Sequence, residues 1–463
     1  MSSDDDRKRL KARWTITAEL KLTAAAQIGT HDSDICDSSF ERNAEGKPVL
    51  RGSAIAGALR SSLQDSQSGY LSNQHSYEEK ALFGFMDGKN GQESRLICFD
   101  SFAEEKETSI RDGVGIDPKT GLAAEGKKYD RELLLPGARF PLRFDILVTE
   151  KEEETSLLSA FCASLEGLCN REIHFGSRRT RGLGEVEAME FRAIRYDLSK
   201  AEGWLEYAGS DDTIRPIAFK PDCASALKAV ENAADFQIPE TRNDARKKLQ
   251  ARLHLEFDST LLIRSPGRKY DSPDAVHLNE QGLAILSGTS FAGALRAHIG
   301  RILRTVNPDN AKKRLENLLG AAPDSEAAPF ASRLRVTEGV LQNNRSYIQS
   351  RIQVDRFTGG TIAAALFDEQ PAVGGTCEIT LEIRNPEEHE PALIALALRD
   401  LLEGLFTLGG GAAIGRGRVS GTANLILSDG SEAILSPDKS GNITIENESA
   451  LIVSHKSLTE GAS

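Results

Sequence analysis

The sequence predicts an α+β protein made of two related domains in tandem, each an antiparallel sheet with helices over one face. Three observations point there. Segments of period-two alternation open each half, helical segments with apolar stripes lie between strand-like ones, and a set of motifs recurs once, in order, at a nearly constant shift.

Each half opens with an alternating segment, TITAELKLTAAAQIG or ARLHLEFDSTLLI, which reads as a half-buried strand. After a loop comes a helix, RGSAIAGALRSSL or SGTSFAGALRAHI. Its Ser and Thr hydroxyls suit capping of free backbone N–H groups, and the small residues of AGALR suit close packing. A long polar insertion then leads to a strand after Gly137 or Gly375. A second helix, TSLLSAFCASLEGLCN or PALIALALRDLLEGLF, ends near a glycine-rich turn before the last strand. This order of elements stacks helices on one face of a sheet.

The repeat is explicit. Gly52, Ala56, Gly57, Ala58, Leu59 and Arg60 match Gly288, Ala292, Gly293, Ala294, Leu295 and Arg296, 236 residues on. Asp117, Thr120 and Gly121 match Asp355, Thr358 and Gly359, and Gly137 matches Gly375, both at 238. Gly182, Gly184 and Val186 match Gly415, Gly417 and Val419 at 233. Four collinear matches within five residues of one shift indicate duplication. The domains are expected at 13–197 and 249–430, with a connector at 198–248 holding one short helix. A polar, acidic tail at 431–463 is expected to be partly disordered.

Composition narrows the function. With 39% hydrophobic and 27% charged residues in 463, the chain can bury real cores. It has no apolar run of about 18 residues and no apolar segment in MSSDDDRKRLKARW, so a cytoplasmic location is expected. Six scattered cysteines, the closest pair being Cys162 and Cys169, lack metal or redox spacing and read as reduced, buried thiols. A net charge of -12 argues against coating nucleic acid by bulk electrostatics, so any such binding must rest on local clusters of arginine.

Such clusters exist. FGSRRTRGLG sets Arg178, Arg179 and Arg181 among Gly176, Gly182 and Gly184, and LGGGAAIGRGR sets Arg416 and Arg418 among five glycines. Glycines let a backbone approach phosphate and arginines neutralise it, whereas a plain tight turn would not need the arginines. The helix starts, Gly52 with Ser53 and Thr289 with Ser290, suit either a phosphate or an ordinary cap. Two turns along, Arg60 and Arg296 suit either a bidentate phosphate contact or a pairing with a carboxylate.

The GSxxxGALR helix, the GIDPKTG and QVDRFTG segments and the late glycine loop together resemble the RAMP superfamily of CRISPR proteins, specifically the Cas-seven backbone group of type III effectors. The tandem arrangement is similar to fusions of the type III-D variety. The resemblance covers both copies and implies RRM-like (ferredoxin-like) domains, each with a thumb insertion. A guide crRNA would lie along the first helix and glycine loop. The implied partners are target RNA and other type III subunits: Cas-ten-type, Cas-five-type and further Cas-seven-type proteins.

The resemblance also implies a catalytic aspartate between the first strand and first helix. Asp37 of DSSFERN matches best in the first copy, with Asp34 and Asp32 as alternatives; Asp274 of DAVHLNEQG, with Asp271 as rival, stands in the second. Such a residue would hold a divalent cation, Mg2+, or orient a 2′-hydroxyl for attack on its own phosphate. Aspartates also favour loops for local reasons. His31 and His277 hold non-corresponding positions and read as incidental. The thumb segments at Asp117 and Asp355, near Arg111, Arg351 and Arg356, suit contact with an RNA duplex or a simple β-turn. Three other readings stay open: a non-cleaving structural guide-binding subunit, a guide-processing RAMP endoribonuclease, and a duplicated ferredoxin-like domain for a small phosphorylated ligand. The chain has no GxxxxGK[ST] phosphate loop.

Overall fold

The computed structural model describes residues 9–29, 37–88, 90–104, 107–117, 120, 122–149, 153–210, 226–233, 237, 244–266, 272–321 and 330–459. Two compact units divide the chain. One is Met1–Ile110 with Arg131–Arg179 and Leu183–Arg246; the other is Arg111–Asp130 with Thr180–Gly182 and Lys247–Ser463.

In the first unit the alternation of TITAELKL becomes the strand Ala12–Leu22, flanked antiparallel by Val186–Asp197 and Arg139–Val148, with Leu96–Cys98 at the edge. Numbered along the chain, the spatial order is fourth, first, third, second, the ferredoxin-like arrangement. The helices Gly52–Ser68 and Glu154–Cys169 close the core, in which Ile16, Leu59, Phe144 and Phe161 are fully buried. Phe144 and Phe161 meet edge to face at 5.2 Å.

The second unit repeats the order with Val419–Ile426, Lys248–Phe257, Thr376–Arg384 and Leu334–Val336, under the helices Gly288–Val306 and Glu390–Leu402. Each insertion forms a hairpin between the second and third strands of its sheet: Thr108–Ile116 with Ala123–Leu134, and Gln349–Val354 with Thr361–Gln370. Tandem ferredoxin-like domains with insertions are therefore the architecture. Among the described residues, no helix is long and apolar enough to cross a membrane.

Two expectations about boundaries are revised. The tail is folded: Glu432–Pro437 and Ile443–Glu446 extend the second sheet, and Leu451 and Leu458 are buried in its core. The connector holds two described helices, Ala201–Gly209 and Ala226–Ala233, and Ala226, Ala229 and Val230 complete the first core.

Candidate nucleic-acid interface

The glycine loops are built alike. Gly184 N–H donates to the Ala25 carbonyl and Ser177 N–H to that of Gln27; in the second copy Gly417 N–H donates to Thr260 and Gly410 N–H to Leu262, all within 2.8–2.9 Å. Each loop is thus clasped to the segment after the opening strand. The approach demands glycine, because a Cβ on Gly184 or Gly417 would lie 1.9 Å from the carbonyl oxygen of Phe175 or Leu408 at a positive φ.

The arginines of these loops are not equivalent. Arg179 is exposed and Arg178 half-buried, at a φ of 52°. Arg181, in the stretch grouped with the second unit, donates to the Leu334 carbonyl at 3.4 Å. Arg418 is exposed, whereas Arg416 is only 2% exposed and pairs with Glu369 at 2.9 Å. Arg416 therefore serves as a buried anchor, a correction to its placement on an open basic loop.

The helix starts carry a feature that the motifs did not signal. Gly52 N–H donates to Asp100 Oδ1 at 2.7 Å, and Arg51 holds the other oxygen at 2.7 Å. These bonds keep the Asp100 carboxyl below the usual carboxylate range. In the second copy Gly288 N–H bonds the Glu338 carboxylate, whose pKa burial pushes up despite the neighbouring Arg111. Asp100 and Glu338 both stand two residues after a short edge strand, 238 residues apart, and that matched position was the available signal. An anion of the protein itself thus meets each helix dipole. Ser53 is exposed and Arg51, not Ser53, is the N-cap, its side chain making no bond to the N–H groups of the first turn. The second helix is capped by Ser287, which accepts from Ser290 N–H at 3.3 Å, while the Thr289 hydroxyl bonds Ser287 Oγ at 3.2 Å.

Arg60 and Arg296 turn toward the following short helix. Arg60 Nε donates to the fully buried Glu79 at 2.6 Å, and Arg296 donates to the Leu319 and Gly320 carbonyls at 3.1 and 3.2 Å. Arg60 thus takes the carboxylate pairing that its position also suited, and Arg296 is held by backbone carbonyls. In contrast, Gly57 and Gly293 face open space, with nothing among the described residues within 4 Å of where a Cβ would sit. Close packing does not account for them. A mid-helix glycine is destabilising by about 0.5–1 kcal/mol relative to alanine, and both copies keep one at the same place.

The loop aspartates fall at matching places in the fold. Asp37 precedes Ser38, which bridges Arg131 in parallel; Asp274 precedes Ala275, which pairs in parallel with Glu369. Both aspartates are exposed, and Asp274 Oδ2 accepts the Asp368 N–H at 2.8 Å. Asp32, Asp34, Asp271 and His31 lie outside the described residues. His277 is buried, accepts from Ile263 N–H at 3.2 Å, and has its pKa pushed down to about 4 by burial, so its ring is neutral near pH 7.

Around Asp274 the copies diverge. Glu369, 4% exposed at its side chain, holds three guanidinium groups: Arg416 at 2.9 Å, Arg264 at 3.1 Å and Arg351 at 3.3 Å. In the first copy the corresponding residue is Arg131, which donates to Gln27 Oε1 at 3.3 Å and Ser177 Oγ at 3.4 Å. Arg264 and Glu369 lie outside every sequence motif above.

At the second hairpin tip, Asp355 Oδ1 accepts from Phe357 N–H, Thr358 N–H and the Thr358 hydroxyl at 2.9, 2.7 and 3.0 Å, which is a turn lock. It leaves Arg356 exposed beside Phe357, itself 83% exposed, with the guanidinium 4.8 Å from the ring centre. Arg111 is buried against Glu280 and Glu338, so it is not a surface contact. One group of metal-ligating side chains converges among the described residues, Glu387, His389 and Glu390, but Arg333 already bonds Glu390 at 3.0 Å. Burial pushes the Cys98 and Cys377 thiols up to about 12 and Cys169 up to about 11, which makes them poor nucleophiles.

No match was found among curated proteins. The sequence profile described as the RAMP superfamily matches residues 28–187 and 254–420, one match in each copy and most of the chain in total. Together with two ferredoxin-like sheets that carry the same glycine loop and the same helix start, this establishes that the chain belongs to the RAMP superfamily.

Proposed function

We propose that this protein is a Cas-seven-type backbone subunit of a type III CRISPR effector, which binds guide crRNA along both copies and cleaves complementary target RNA through Asp37 and Asp274. The duplicated open glycines carry the RNA-binding part. Gly57 and Gly293 are exposed, the protein's own packing makes no use of them, and each sits on the helix that begins at Gly52 or Gly288, so a ligand backbone has room to lie flat there. A methyl or longer side chain would lift it off.

Cleavage requires in-line geometry more than a strong base. The 2′-oxygen of a splayed target nucleotide forms a bond to phosphorus as the bond to the 5′-oxygen breaks. The 2′-hydroxyl proton passes to solvent, and the 5′-oxygen takes a proton from solvent. Mg2+ takes one or two carboxylates alongside substrate phosphates. Asp274 and Asp368, whose Oδ1 is buried with no hydrogen-bond partner among the described residues, fit that demand and would hold the ion. When bound, it would supply charge stabilisation at the reacting phosphate.

The test is Gly57→Glu and Gly293→Glu in protein co-expressed with guide RNA and its partner subunits. Each variant should fold and lose guide RNA, seen as a fall in the 260 to 280 nm absorbance ratio of the purified particle. An unchanged ratio in the double variant would contradict the reading. Asp37→Ala and Asp274→Ala should each remove a subset of target products while guide binding persists.

A further inference from the structure

We propose that Arg264 and Arg351, held on the buried carboxylate of Glu369, form a phosphodiester subsite that serves cleavage at Asp274 and has no counterpart of the same build among the described residues of the first copy. This rests on the proposed function and names the group that would hold the reacting phosphate.

The site is made by a four-stranded sheet of the second unit in which Arg264–Ser265, Ala275–His277, Thr361–Gln370 and Gln349–Val354 are neighbours in that order. Arg264 sits opposite His277, Ala275 opposite Glu369, and Gln349 opposite Glu369. Side chains two residues apart on a strand share a face, so Arg351 joins Gln349 and Glu369 on one side. Arg416 fixes the arrangement from within: its Nη1 pairs with Glu369 at 2.9 Å and its Nη2 donates to Gln349 Oε1 at 2.6 Å. Three guanidinium groups on one carboxylate leave an excess of two positive charges. The exposure falls on the outer pair, with the Arg264 side chain 67% exposed and Arg351 31%, against 3% for Arg416.

Asp274 is one ladder step away. It precedes the residue paired with Glu369, and by accepting the Asp368 N–H it takes the place of a strand carbonyl at the end of the sheet. A phosphate drawn to the outer arginines therefore lies at the end of the sheet where Asp274 sits, while Asp368, next to Glu369 on its strand, turns its side chain to the other face. The carboxylate of Asp274 offsets part of the local excess of positive charge until the RNA phosphate enters. Forked guanidinium donors on non-bridging oxygens stabilise the charge that builds as the 2′-oxygen attacks. In the first copy, by contrast, the position of the Glu369 carboxylate is taken by a cation, Arg131, which donates to Gln27 Oε1 and Ser177 Oγ.

The experiment uses the assembled particle with guide and a labelled complementary RNA. Arg264→Ala with Arg351→Ala should slow formation of the Asp274-dependent products by about 100-fold or more. Target binding should stay within about twofold, and the Asp37-dependent products should be unaffected. A substrate with sulfur in place of one non-bridging oxygen at the Asp274-dependent position should be cut more slowly by the unaltered particle, and this oxygen-to-sulfur ratio should shrink toward one in the double variant; a role in folding alone would leave the ratio unchanged. Equal loss from both product sets, loss of target binding matching the loss of rate, or an unaltered ratio each overturns the proposal. Should Asp274→Ala remove no product while the arginine variants do, the aspartate assignment of the proposed function is what fails, not the subsite.

Discussion

The two copies solve the same backbone problem in the same way and the same charge problem in different ways. Their glycine loops use matching hydrogen bonds and their first helices both begin on a carboxylate, Asp100 or Glu338. Yet Asp100 is paired with the exposed Arg51 and Glu338 with the buried Arg111. Likewise the buried glutamate opening the second helix takes Trp14 and Arg195 at Glu154, but Arg333 at Glu390. A close backbone approach admits only glycine, so duplication preserves it; a charge needs only some partner nearby, so its partner is free to change.

The largest expected difference between the copies is at the Arg131 and Glu369 positions. Glu369→Ala leaves the buried Arg416 without its carboxylate and should cost about 3–5 kcal/mol in urea unfolding. Arg131→Ala removes the bonds to Gln27 and Ser177 and should cost about 1–2 kcal/mol. Equal losses would break the contrast.

Gly184→Ala and Gly417→Ala should be alike, each losing about 2–3 kcal/mol, because either methyl meets a backbone carbonyl that cannot move freely. A marked inequality would mean that the loops are less equivalent than their bonds suggest.

Acid should separate the copies again. Burial pushes His277 and His389 down to about 4, below the ordinary value near 6.5, so the unfolded chain takes up protons first. Their contribution is present above pH 6.5 and is lost as the pH falls toward 4, amounting to about 1 kcal/mol each at pH 5.5. Hydrogen exchange should therefore quicken between pH 7 and 5.5, after correction for intrinsic rates, in Lys248–Phe257 more than in Ala12–Leu22; His277→Gln should reduce the difference.

The smallest effect is a gain. Gly57→Ala and Gly293→Ala should each stabilise the protein by about 0.5–1 kcal/mol, since their surroundings are open and alanine suits a helix better. A loss on thermal melting would show that packing needs them after all.

Much of the fold was legible. The alternation in TITAELKL, the glycine loops and the repeat shift give the opening strands, the tight bends and the duplication. The tail was misjudged although EAILSP alternates, burying Ala433 and Leu435, because its charged flanks dominate the composition. Of the candidate site, the close backbone approaches at the glycines were readable, while the fates of Arg60, Arg296 and Arg416 were not. Their partners, Glu79, the Leu319 and Gly320 carbonyls, and Glu369, lie 19 to 47 residues away along the chain, with no spacing rule that links them.

By itself the sequence determined the duplicated strand and helix pattern and the places where the backbone must pass close to itself, since periodicity and glycine are local properties. Only the tertiary structure decided which arginines are spent inside the protein and which stay exposed. Ion pairing depends on a few ångströms between residues far apart in the chain, and folding alone sets those distances.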